Sequence, residues 1–193
     1  EMTSSLVGSE MCIRDSFYVI MEKFGGAGME IRPIDFCDEE AYRSFLASFK
    51  NDDNPFVAPE TTREVTDFKV FVENSRAQER KAAHPDYSTV TTYYTFVDGS
   101  IAARIACRWQ LEKGNLSTVG GHIGYQTSPK FRRQGIMTKP LNFALEEYGK
   151  RGISPVLITA REDNIASRHI IEKAGGALEN SIDLEDGQRL ARY

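Results

Sequence analysis

The stretch GYQTSPKFRRQGIMTKP (residues 124–140) sets two adjacent arginines, Arg132 and Arg133, just ahead of Gly135. There an extended pattern gives way to a helical one. The first turn of a helix leaves backbone N–H groups unpaired and carries partial positive charge, so such a turn suits a phosphate. Glycine lets a backbone approach a ligand closely, and guanidinium groups add charge-assisted hydrogen bonds. The plainer reading is an ordinary strand-to-helix turn with solvated arginines, and spacing alone leaves both open.

Other reactive side chains are sparse. The histidines are His84, His122 and His169, and no pair has metal-ligand spacing, so no metal is expected. Cys12 falls in an anomalous opening segment. Cys37 and Cys107 are too few and too separated for a disulfide framework or a zinc site. Each reads as a small core residue in a reducing, cytoplasmic compartment. His122 and Tyr125 lie on the strand that leads into the basic loop.

The elements around this loop follow from periodicity. MEIRPI reads as a strand from Met29, and Tyr42, Phe45, Leu46 and Phe49 fall on one face of a helix with acids in its first turn. Thr61 and Glu64 make a capping box that would open a second helix carrying Val65, Phe68, Val72 and Arg76 on one stripe. From Ser88 the period is two, broken at Asp98-Gly99, a strong hairpin signal. TVGGHIGYQTS reads as a third antiparallel strand, followed by a helix from about Gln134 to Arg151. PVLITA is a short buried strand, NIASRHIIEKA a helix, and the last residues a hairpin turning at Asp186-Gly187. The expected order is β-α-α-β-β-β-α-β-α-β-β, an α+β fold with a mixed central sheet flanked by helices.

Residues 6–16 reverse-translate without a gap into a string resembling a transposase-based sequencing-library adapter. The codons available for KFGGAGME can place a ribosome-binding site just before Met29. Residues 1–28 are therefore read as an artefact and leader, and residues 29–193 as one domain. The whole chain carries 24 basic and 28 acidic residues; without the first 28 residues the balance is 22 to 24, a net of −2. That excludes a basic stripe for nucleic acid or a polybasic membrane surface.

On these residues the sequence resembles the GNAT-type N-acetyltransferases. Arg132-Arg133-Gln134-Gly135 matches their Arg/Gln-x-x-Gly-x-Gly/Ala loop. DNIASRHIIEKAGG (163–176) resembles their Asn-x-x-Ala/Ser helix start and Glu-Lys-x-Gly ending. Together with GGHIGYQTSP it is similar to a bacterial subgroup of predicted acetyltransferases. The resemblance covers nearly all of residues 29–193 and implies the GNAT fold, acetyl-CoA as donor, and direct attack by an amine on the thioester. It implies that Gln126, Thr127 and Ser128 lend backbone groups to the pantetheine arm, one N–H there stabilising the oxyanion. It implies that the loop of Arg132, Arg133, Gln134, Gly135, Ile136, Met137 and Thr138 holds the pyrophosphate through main-chain amides. Asn164 and Ser167 would contact the cofactor arm, Asn164 being equally readable as a plain N-cap. His122, beside the thioester position, becomes a candidate base and Tyr125 a second acid/base, against the blander readings of packed histidine and core aromatic.

Three positions depart from the family pattern: Met137 stands for a small residue, Pro140 falls in the first turns of the helix, and Ile171 replaces a tyrosine that often protonates the leaving thiolate. The expected activity is acetyl transfer to an unidentified amine of a small molecule or peptide. The helices between Glu39 and Lys81 would shape the acceptor pocket, where Glu64 and Asp67 could meet a cationic amine. The alternative is a degenerate domain that binds acyl-CoA without turnover. A nucleotide-dependent enzyme is disfavoured, because neither a Gly-x-Gly-x-x-Gly following a strand nor a Walker lysine is present. Homodimers are frequent in the family. Its members usually run a few residues past the point where GQRLARY stops, which leaves a truncated C-terminus open.

Overall fold

The computed structural model describes residues 20–24 and 26–193; the adapter-like segment lies outside them. The elements run β1 (Ile20–Phe24), β2 (Ala27–Pro33), α1 (Glu39–Ala47), α2 (Phe68–Gln78), β3 (Val90–Val97), β4 (Ser100–Arg108), β5 (Ile123–Thr127), α3 (Thr138–Lys150), β6 (Thr159–Arg161), α4 (Ile165–Lys173), β7 (Asn180–Asp183) and β8 (Arg189–Arg192). β1 and the start of β2 fall in the stretch read as leader; β1 pairs with β2 on the outside of the sheet.

Two antiparallel sheets form, β1-β2-β3-β4-β5 and β6-β8-β7. The β3–β4 hairpin turns at Asp98 and Gly99, both at positive φ (46° and 76°), as a tight two-residue turn requires. Alternation along β3 sends Tyr94 to one face and Tyr93 to the other. Tyr94 meets the apolar stripes of α1 and α2, where Tyr42, Phe45, Phe68 and Val72 are buried. Tyr93 and Ile105 meet α3, with Phe143 edge-on to Tyr93 at 4.9 Å. Cys107 is buried in this second core, and burial pushes its thiol up to about 12, which makes it unreactive. Among the described residues no helix is long and apolar enough to cross a membrane.

Local expectations differ from the structure in three places. The capping box at Thr61 does not form; Asp67 caps α2 instead, accepting from the Val70 N–H at 3.0 Å, and the Thr61 hydroxyl bonds back to the Ala58 carbonyl. The third strand is shorter than its pattern, because residues 116–120 close into a wide helical turn whose Val119 and Gly120 N–H groups share the Asn115 carbonyl. Helix α3 starts at Thr138, not Gln134, which leaves the basic loop as loop. Pro140 then occupies the first turn, where a missing N–H costs little, and Lys139 bonds the Ile136 carbonyl instead.

Candidate active site

The two sheets are stitched together just before β5 begins. The His122 N–H donates to the Leu157 carbonyl at 2.8 Å, and the Leu157 N–H donates to His122 Nδ1 at 2.9 Å. Gly121 permits this approach: at φ 63° it lies so close that a Cβ would sit 3.0 Å from the Leu157 carbonyl oxygen. Beyond this stitch β5 and β6 join separate sheets and part, and the gap between them is the site.

The ladder phase fixes which groups face the gap. Arg108 N–H donates to His122 C=O and Ser128 N–H to Ala102 C=O. In the antiparallel register the pairs Arg104–Gln126 and Ala106–Gly124 therefore exchange ladder bonds. Tyr125 and Thr127 direct their N–H and C=O the other way, towards β6. Of the three residues expected to lend backbone groups, only Thr127 can. The Gln126 backbone is spent on β4, while its side chain accepts from the Ala58 N–H at 3.1 Å and pins the 54–60 loop over the strand. Ser128 is buried, with its hydroxyl 3.2 Å from that of Ser48.

A cleft of about 610 Å³ opens from this edge and runs to the start of α3. Thr127, Arg132, Arg133, Gly135, Ile136, Met137, Thr138, Asn164 and Ser167 line it. Among the described residues no backbone carbonyl accepts from the N–H groups of residues 133–137. Arg133 (φ 60°) and Gly135 (φ 75°) both take the left-handed conformation, which folds successive N–H groups into a concave, anion-receiving nest. Arg133 is exposed beside it. Arg132 is not free: it forms a two-pronged ion pair with Asp52, 2.9 Å at Nη1, and donates to the Thr127 carbonyl. Gln134 lies off the cleft, bonded to the Lys130 carbonyl at 2.9 Å. Ile136 and Met137 are almost fully buried, so Met137 packs into the core and does not crowd the nest.

On the far wall Asn164 caps α4, accepting from the Ser167 N–H at 3.1 Å. The Tyr125 hydroxyl lies 2.7 Å from the Ser167 hydroxyl, and burial pushes the phenol up to about 12. Tyr125 is therefore a neutral phenol at the edge of the gap. Ile171 is buried beneath Gly176 and cannot serve. His122 is a correction. It is buried, stacked edge-on with Tyr148, and committed through Nδ1 to Leu157. Burial lowers its pKa, and it lines no part of the cleft.

Two further cavities continue from the cleft beneath the 54–60 loop. One of about 270 Å³ shares Phe56, Tyr125, Gln126, Asn164 and Ser167 with the cleft; the next, about 340 Å³, shares Glu60, Arg104, Ala106 and Arg108 with the first. Sequence reading missed Glu60, Arg104 and Arg108, which come together only through the fold. Glu64 and Asp67, the acids expected near an amine, line neither cavity, and Asp67 is spent on its cap. Among the described residues no cluster of three or more potential ligands could hold a metal.

The model of the acetyltransferase (GNAT) family matches residues 36–176. No curated protein matches the chain. Among solved structures, RimJ of Mycobacterium smegmatis in complex with CoA-disulfide is similar, with a TM-score of 0.66, 18% identity, and 91% of this chain and 86% of that one covered. RimL, a ribosomal L7/L12 alpha-N-protein acetyltransferase, gives 0.60 at 20% identity, covering 91% and 93%. The microcin C7 self immunity acetyltransferase MccE, in complex with acetyl-CoA and AMP, gives 0.59 at 19%, covering 86% and 91%. The parted strands, the glycine loop and the match over most of its length lead to one conclusion: this chain belongs to the GNAT family of acetyltransferases.

Proposed function

We propose that this protein transfers the acetyl group of acetyl-CoA to the amine of a small molecule or peptide whose reacting end enters the 270 Å³ cavity. The observation that carries this reading is the continuity of three features: the nest of unpaired N–H groups at residues 133–137, the unpaired edge of β5, and the cavity beyond it. The nest would receive the pyrophosphate, and the β5 edge would receive the amide groups of the extended arm. The thioester then lies between Tyr125 and Asn164.

The chemistry follows from what surrounds that point. Glu60, the carboxylate lining the 270 Å³ cavity, takes a proton from the incoming ammonium. The neutral nitrogen attacks the thioester carbon, and the Tyr125 or Thr127 N–H holds the oxyanion. As the intermediate collapses the C–S bond breaks, the Tyr125 phenol gives its proton to the thiolate, and the nitrogen gives up its second proton to restore the phenol. Solved neighbours include an alpha-N-protein acetyltransferase and an immunity acetyltransferase, which keeps α-amino groups of peptides and small molecules as acceptor classes.

Calorimetric titration with acetyl-CoA tests the reading, with Gly135→Glu as control. Binding that this control abolishes supports the cofactor site, and CoA release with an amine panel supports transfer. Binding without transfer to any amine would identify an acyl-CoA-binding module. A folded protein that does not bind acetyl-CoA would overturn the proposal.

A further inference from the structure

The acceptor cavities carry an unbalanced charge. Arg104 and Arg108 lie on the same face of β4, flanking Ala106, and both residues line both cavities. Both are half-buried. Among the described residues Arg104 makes no hydrogen bond or ion pair. Among the described residues Arg108 reaches two backbone carbonyls, Gly120 at 3.3 Å and Gly121 at 3.4 Å, and burial lowers its pKa. Four other partly or largely buried arginines are matched by acids, Arg32 by Asp38, Arg132 by Asp52, Arg151 by Glu147 and Arg161 by Asp163, and half-buried Arg168 is held by the Tyr193 hydroxyl and the Glu162 carbonyl. A half-buried cation without a counter-charge is costly, and two on one face are costlier still. Glu60 lines both cavities and its charge acts on Arg108, but it is exposed and, among the described residues, forms no ion pair with either arginine.

The floor is shaped around these groups. Ala106 sits opposite Gly124, and a Cβ on Gly124 would lie 3.1 Å from an Arg108 guanidinium nitrogen. The missing side chain lets the guanidinium lie over β5. Arg104 is directly opposite Gln126 in the register, one residue from Tyr125. An anion held by the arginines is thus a few ångströms from the reacting end of the cavity, the span of a small molecule.

We propose that Arg104 and Arg108 receive an oxyanion, carboxylate or phosphate, carried by the acceptor, which is therefore a small anionic amine. This rests on the acetyl-transfer reading for the identity of the bound molecule, whereas the anion site itself does not. Arg104 and Arg108 anchor the acid end, and Glu60 faces the ammonium end.

Two measurements test it. In the first, inorganic phosphate and acetate are titrated into the free protein and into Arg104→Gln, Arg108→Gln and Gly135→Glu. Arg104→Gln removes no intramolecular bond, so it keeps the fold even if Arg108→Gln does not. Saturable binding weakened about tenfold by the arginine variants, and retained in Gly135→Glu, is expected. Loss in Gly135→Glu alone would put the anion in the cofactor nest and overturn the proposal, as would no saturable binding. The relative affinities of phosphate and acetate separate the two sources of oxyanion. In the second, CoA release is followed with matched acceptors, an amino acid against its amide and an aminoalkyl phosphate against its alcohol. The charged member of at least one pair should be preferred about tenfold or more in kcat/KM, and Arg104→Gln should bring that ratio near one. Neutral acceptors used as well as charged ones would sink the acceptor assignment while leaving acetyl transfer standing. Failure to bind acetyl-CoA would sink the transfer reading while the anion titration still decides the arginine site.

Discussion

Arg132, which lines the 610 Å³ cleft, is held in place by Asp52. The carboxylate, on the loop after α1, is almost fully buried, and Arg132 grips it with two prongs while its Nε reaches the Thr127 carbonyl. One guanidinium thus ties the α1–α2 loop to the end of β5. The hydrogen bond from Arg132 holds the Asp52 carboxyl below its ordinary range. Stability from this pair is therefore complete above the unfolded carboxylate pKa of about 3.9 and disappears as pH falls through the lower folded value. Asp52→Asn should cost about 2 kcal/mol at pH 7, between an exposed and a fully buried pair. Urea denaturation at pH 7 and pH 3 checks this, and the difference between the variants should shrink at pH 3.

The two loop arginines should behave differently. Arg133 is exposed at the nest and has no acid partner among the described residues, so Arg133→Gln should weaken acetyl-CoA about tenfold. Arg132→Gln should lower the melting temperature more than it changes the cofactor dissociation constant. Calorimetry beside thermal denaturation separates the two effects.

Tyr125→Phe should reduce kcat by about tenfold to a hundredfold while acetyl-CoA affinity stays within a few fold. The phenol is pushed up to about 12, so it remains protonated across the working range and contributes no alkaline decline below about pH 11. A pH–rate profile tests this directly. An alkaline limb near neutrality that vanishes in the variant would assign Tyr125 a different role.

His122→Ala should destabilise the fold by about 2–3 kcal/mol through the lost bond to Leu157 and the cavity left beside Tyr148. Burial depresses the folded pKa of His122, so protons favour the unfolded chain. Stability from this group is full above the unfolded pKa of about 6.5 and falls with pH below it. The acid slope between pH 7 and pH 5 should flatten in His122→Gln, as read from denaturation midpoints.

Much of the scaffold was legible because it is local. Asp98-Gly99 allows few other turns, and the stripe of Tyr42, Phe45 and Phe49 has the helical period. The glycine loop was legible through its resemblance to a family loop, since spacing alone left an ordinary turn equally open. Competition between equally good local signals hid other features: Thr61 and Asp67 can each cap a helix, and only packing of Phe68 and Val72 selects the second. Of the two readings of His122, the structure shows the packed histidine, because the left-handed Gly121 breaks the alternation that a strand would impose. The acceptor side was illegible for a different reason. Glu60 and Arg104 are brought to one cavity by strand register and a loop pinned through Gln126, and no sequence spacing encodes that.

The parted strands carry one more implication. A bare sheet edge on the outside of a protein accepts any passing strand. The second edge of β5 is inside the molecule, walled by α4 and the 54–60 loop, so its N–H groups answer only to what can thread between two sheets. A slender chain with amide groups along its length completes the ladder there; a folded protein surface does not reach it. Selectivity for the carrier thus begins as a matter of access, before any side chain reads a functional group. The amide protons of Tyr125 and Thr127 should exchange freely until the carrier is threaded, and slowly afterwards.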